Sequence, residues 1–189
     1  GRGYVDDQRI VGGVPVSTGD VDAVDSEAAT YLLALRELFV ATGDRAALQR
    51  LGGSVGEAVG AVTALQDTDG LTWAKASWKV KYLMNEAEAY AGLRSGAALA
   101  QALGDAATAG QAATAATRVR AGVAALWNPA TGGYDWAVHE NGARVAVDWR
   151  NLYPDALEQI WAVAFGVADP SRARSVATRF VQYHPAWAQ

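Results

Sequence analysis

Carboxylates gather ahead of the three stretches that read as the most buried helices: Asp20, Asp22 and Asp25, then Glu86 and Glu88, then Asp148 and Asp155. Two carboxyl groups placed in one cleft can act as acid and base on a bond held between them. The same residue types at helix N-termini cap free N–H groups and answer the helix dipole. Both roles fit this pattern. Trp73, Trp78, Trp136 and Trp149, four of the seven tryptophans, fall between the helices together with Tyr134 and Tyr153. A flat apolar ring with a polar edge suits the C–H face of a sugar, although such rings also give a long loop a core of its own. Lys75, Lys79, Lys81 and Arg150 stand among them, suited to hydroxyls, to an acidic sugar or to the neighbouring carboxylates.

Other chemistries find no support. His139 and His184 are the only histidines and lie far apart in sequence, so a metal site is not expected. Asp67-Thr-Asp69-Gly70 matches part of a calcium loop, but Ala76 stands where the bidentate glutamate belongs, and the segment reads as a turn. Asp20, Asp22 and Asp25 match the acidic motifs of terpene cyclases poorly in spacing. There is no glycine-rich phosphate loop, nucleophile elbow or zinc-protease motif, and no cofactor is expected.

The elements that must carry these residues are announced by a recurring phrase. A helical pattern runs into Thr42-Gly43-Asp44, into Leu103-Gly104-Asp105 and into Ala168-Asp169-Pro170, with a second helix after each. The intervals between the aspartates, 105 − 44 = 61 and 169 − 105 = 64 residues, suit a unit of long loop plus helical hairpin. The first helix is expected after Asp25 or Ser26 as far as Thr42, apolar around most of its circumference and closed by Gly43. Asp44 is placed to cap a helix striped by Leu48, Leu51, Val55, Val59, Val62 and Leu65, with Gly52, Gly53, Gly56 and Gly60 weakening it.

The order repeats from Tyr82 to Leu103 and after Asp105, then from Pro154 to Val167 and after Asp169. This predicts three inner and three outer helices in units 25–66, 82–127 and 154–184 of a single domain spanning 1–189. Segments 1–24, 67–81 and 128–153 are long and rich in turn signals. Within the last, Tyr134, Trp136 and Val138 alternate before Asn141-Gly142, and Val145 and Val147 after it, which predicts a β-hairpin near 134–148. Short connections within hairpins and long ones between them put every long loop on one rim.

Of the 189 residues, 51% are hydrophobic and 19% charged, a composition that folds. A net charge of −4 with scattered lysines and arginines argues against nucleic acid. No apolar run is long enough to span a bilayer. The chain has no cysteine, which a cytoplasmic protein and a secreted bacterial one share, so it reads as soluble with the compartment open.

Asp67-Thr-Asp-Gly-Leu-Thr-Trp73-Ala-Lys75 before Tyr82-Leu-Met-Asn85-Glu86-Ala-Glu88-Ala-Tyr90, with Val24-Asp25-Ser26 entering the first inner helix, resembles the six-hairpin glycosidase superfamily. The resemblance implies an all-α fold, here three α-hairpins of an (α/α)6 toroid, and cleavage of a glycosidic bond by a carboxylate pair on the loop rim. On that pattern Asp25, Glu86 and Asp155 are the expected catalytic carboxylates. Trp73, Lys75, Trp78, Tyr134, Trp136, Asp148, Trp149, Arg150 and Tyr153 are the expected contacts to an oligosaccharide or polysaccharide. A carbohydrate-binding or scaffold protein without catalysis is the alternative. Only three hairpins are visible where the toroid has six. The chain is therefore expected to be about half of a longer protein, or to complete its ring as a homodimer.

Overall fold

The computed structural model describes residues 2–187. Seven α-helices appear among them: α1 (Val24–Thr42), α2 (Arg45–Arg50), α3 (Gly52–Ala64), α4 (Leu83–Leu103), α5 (Ala106–Ala125), α6 (Leu157–Ala164) and α7 (Pro170–Tyr183). The recurring aspartates cap as their positions predict. Asp44 Oδ1 accepts from Ala47 N at 2.8 Å, Asp105 Oδ1 from Thr108 N at 3.0 Å, and Asp169 Oδ1 from Ser171 N at 2.8 Å. Gly43 and Gly104 close α1 and α4 with φ of 65° and 82°, where a side chain would be strained.

α1, α4 and α6 pack in that order as one layer, while α3, α5 and α7 lie behind their partners as the second. Ala28, Ala29, Leu32 and Leu35 of α1 are buried with Leu83, Ala87, Tyr90, Leu93 and Leu99 of α4 in one continuous core. Small residues bring α1 and α4 close within their layer. At Gly92 an added Cβ would meet the backbone of Ala29 at 2.5 Å.

The structure departs from the sequence reading in four places. α1 begins at Val24, so Asp25 lies inside its first turn instead of ahead of it. The first outer helix is broken at Leu51 into α2 and α3, where Gly52 and Gly53 lower helix propensity. α6 is short: residues 152–156 form a widened turn in which Tyr153 is extended.

The fourth difference concerns strands. The chain is mainly α and not all-α, because the long segments carry small antiparallel sheets. β1 (Gln8–Val11) pairs with β2 (Val14–Ser17), a hairpin with no counterpart in the sequence reading. β3 (Val80–Tyr82), β6 (Ala137–His139) and β7 (Arg144–Val145) form one sheet in the order β3-β6-β7, and β4 (Trp127–Asn128) pairs with β5 (Gly133–Tyr134). The expected hairpin at 134–148 is thus reduced to β6 and β7, and Tyr134 belongs to a different sheet. Among the described residues no helix is long and apolar enough to cross a membrane.

Candidate active site

The first turns of α1, α4 and α6 converge beneath a cleft of about 600 Å³. Ser26 comes from α1, Met84, Asn85 and Glu88 from α4, and Glu158 from α6, while Ala74, Trp78, Trp136, Tyr153 and Pro154 descend from the loops. β3 and β6 bind the second and third long segments together, so the aromatic wall is a consequence of that pairing. Ala137 lies opposite Tyr82, and the rings of Tyr82 and Trp136 stack with centroids 6.2 Å apart. Trp78 Nε1 donates to the Tyr82 hydroxyl at 3.2 Å.

Three carboxyl groups line this space, the exposed Asp22 at its edge and Glu158 and Glu88, whose surroundings are unlike. Glu158 is buried, and its Oε2 accepts from Met84 N at 3.1 Å. It takes the place of the side-chain cap that α4 otherwise lacks, because Tyr82 at the N-cap supplies no acceptor. Burial raises its pKa to about 8 against the pull of that N–H, with Asp155 and Glu88 adding repulsion. Glu88 lies one helical turn into α4, and its Oε1 accepts from Trp161 Nε1 at 3.0 Å. Its Oε2 accepts from the Ser26 hydroxyl in a short contact. Each oxygen of Glu88 thus accepts from a side-chain donor.

Asp25 and Glu86 are brought together, but below the cleft floor and not on it. Both are fully buried. Thr72 lies between them: its Oγ1 is 2.8 Å from Asp25 Oδ2 and 3.3 Å from Glu86 Oε1, and its N donates to Glu86 Oε1 at 2.7 Å. Asp25 Oδ1 accepts from Ser26 N at 2.8 Å and from Asn85 Nδ2 at 3.1 Å. Burial lifts Asp25 to about 7. Burial, with repulsion from Asp25, raises Glu86 well above the usual carboxylate range. Glu86 Oε2 is buried without a partner.

The other expected contacts divide clearly by place. Trp78, Trp136 and Tyr153 line the cleft. Asp155 is buried and holds the turn before α6, accepting from Asp148 N at 2.8 Å and from the Asn151 amide. Asp148 and Arg150 pair with each other at 2.8 Å and lie outside the cleft. Tyr134 sits in the core, its ring edge-on to Trp127 and its hydroxyl accepting from Asp169 N at 3.0 Å. Trp149 is buried against Tyr183, and its Nε1 donates to Thr131 O at 3.1 Å.

Trp73 lies under the Lys81 ammonium, 4.0 Å from ring centroid to Nζ, and Lys75 reaches back to Val21 O and Asp20. Lys81 is itself buried and grips Asp67 at 2.7 Å and Asp69 at 2.8 Å, which fixes the loop that carries Thr72. Among the described residues no group of His, Cys, Asp and Glu is arranged to hold a metal ion.

Sequence reasoning missed Glu158 altogether and left Glu88 among several rim carboxylates. A signal for Glu158 exists. It shares the buried side of α6 with Gln159 and Ala162, just after the buried Asp155 of the preceding turn, and an ionisable group on such a face needs a reason to be there.

Solved structures supply the comparison. The chain is similar in fold to part of a GH78-family rhamnosidase of Bacillus sp. GL1, with a TM-score of 0.70 and 21% identity over 87% of this chain. It is also similar to a rhamnosidase from Klebsiella oxytoca with rhamnose bound, with a TM-score of 0.71 and 17% identity over 97% of this chain. The chain spans only 18% and 35% of the length of those two proteins. No family model matches the sequence, and no curated protein does.

Proposed function

We propose that this chain forms three hairpins of a six-hairpin toroid and carries one wall of a cleft that hydrolyses glycosidic bonds. The observation that carries the reading is the contrast between Glu158 and Glu88 on the cleft. Glu158 keeps its proton to about pH 8, and Glu88 is held by donors on both oxygens. A carboxylic acid that protonates the departing oxygen and a carboxylate that serves as base or nucleophile are the two partners of glycoside hydrolysis. Trp78, Tyr82, Trp136 and Tyr153 offer ring faces on which a sugar can lie. The remaining hairpins of the toroid are supplied by further polypeptide, either more of the same chain or a second copy.

The fold likeness to two rhamnosidases makes a rhamnoside the first substrate to try. Release of rhamnose from an alkyl rhamnoside and from rhamnose-containing disaccharides, measured for the wild type and for E158Q and E88Q, tests the assignment. Each substitution is expected to lower kcat by about 100-fold or more and to leave calorimetric sugar binding in place. Turnover at the wild-type rate in both variants removes the pair. Saturable binding without any product from the wild type leaves a carbohydrate-binding protein in its stead.

A further inference from the structure

Asn85 is a polar group of the cleft that neither carboxyl role uses. It is 8% exposed, with Nδ2 turned down to Asp25 Oδ1 at 3.1 Å. Asp25 Oδ1 already accepts from Ser26 N, and with the Asp25 proton on Oδ2, the oxygen that faces Thr72, Oδ1 only accepts, so this contact fixes which end of the amide is which. Among the described residues no donor takes Asn85 Oδ1, which is therefore available to the cleft as an acceptor. The same Asp25 oxygen receives Ser26 N at 2.8 Å, and Ser26 Oγ is the group that holds Glu88. Asp25 thus sits at a junction from which one arm reaches the cleft floor and another reaches a cleft carboxylate.

We propose that Asp25 is a positioning residue: it sets Asn85 so that the amide oxygen accepts a hydrogen bond from one sugar hydroxyl, and it steadies Ser26 against Glu88. This rests on the glycoside-hydrolysing reading and names how that cleft recognises its sugar. Asp25 cannot meet substrate directly, because it is fully buried and its oxygens are taken by Ser26, Asn85 and Thr72. Its surroundings are acidic or apolar. Glu86 and Glu88 face it from α4, Asp69 faces Glu86 from the loop, and the buried residues of α3 are Val55, Ala58, Val59 and Val62. The lysines of the loop are engaged elsewhere, Lys75 with Val21 and Asp20 and Lys81 with Asp67 and Asp69. No cation holds Asp25, so neutral donors such as the Asn85 amide do so.

Calorimetry with rhamnose and its monodeoxy analogues, alongside turnover, tests this on the full chain. N85A is expected to weaken rhamnose binding by about three- to tenfold, the value of one neutral hydrogen bond, and to leave one monodeoxy analogue unaffected. D25A is expected to show the same selectivity. D25N keeps an oxygen for Ser26 and Asn85 and gains a donor for Thr72, so it should recover most of the affinity that D25A loses and still turn substrate over.

Loss of turnover in D25N with binding intact would make Asp25 a catalytic residue and overturn the proposal. N85A at wild-type affinity removes the acceptor role alone, and an equal loss across every deoxy analogue reduces Asp25 to a structural part. If D25A fails to fold, N85A and D25N still decide. A wild-type chain that binds no sugar removes the function and this proposal together.

Discussion

Glu158 and Glu88 differ in what surrounds their oxygens, and a pH profile reads that difference. The acid role needs the Glu158 proton, so kcat is expected to fall as pH rises through about 8, and E158Q should lose this limb with most of the rate. A p-nitrophenyl leaving group needs little protonation, so the E158Q deficit should shrink with it and remain large for an alkyl glycoside. A deficit of equal size for both aglycones would deny Glu158 the acid role. The buried acids also link folding to pH. Asp25 and Glu158 stay protonated in the folded chain to about 7 and about 8, and Glu86 to well above its ordinary value of 4.5. The folded state therefore holds more protons than the unfolded one from the ordinary carboxylate range up to those values, and stability falls as pH rises across that window. Thermal unfolding from pH 5 to pH 8 should show a falling Tm, with a shallower slope in E86Q; a Tm that rises with pH contradicts it.

At the scale of elements, the layers depend on caps and on one close approach. Asp105 supplies Oδ1 to Thr108 N and Oδ2 to Thr108 Oγ1, and D105A is expected to cost about 1 kcal/mol, measured by urea unfolding. G92V forces side-chain atoms into the Ala29 backbone and should cost about 2 kcal/mol or more by parting α1 from α4. Because Ser26 lies on α1 and Glu88 on α4, that separation should also depress turnover before it unfolds the chain. The caps were legible in the sequence because a cap is a local event, settled within four residues of chain. The break at Leu51, the short α6 and the sheets were legible less well or not at all. Pairing β3 with β6 joins segments about sixty residues apart, and no local pattern encodes that partner.

For the whole molecule, α1 is the edge of the inner layer. Ala34 and Leu38 are exposed one helical turn apart on α1, Leu38 at 54%, while Tyr31 before them bonds Ser54 of α3 through its hydroxyl. A second copy that continues the ring would cover Ala34 and Leu38. The 189-residue polypeptide, of 19.8 kDa, is therefore expected to sediment as a dimer and L38E as a monomer. A wild-type monomer at the highest attainable concentration would deny the dimer.

What the sequence by itself determined is the alternation of helices with long aromatic segments, the aspartate caps and the carboxylates at the starts of α1, α4 and α6. Each of these is written in residues close together along the chain. Only the tertiary structure decided which carboxylates reach the cleft. Asp25, Glu86, Glu88 and Glu158 all lie within the first two turns of inner helices, where sequence pattern treats them alike. The packing of α1, α4 and α6 turns Glu88 and Glu158 toward open space and seals Asp25 and Glu86 beneath Asn85 and Thr72. Desolvation then separates their chemistry, and it depends on the direction a side chain takes in the folded molecule, which composition and spacing do not carry.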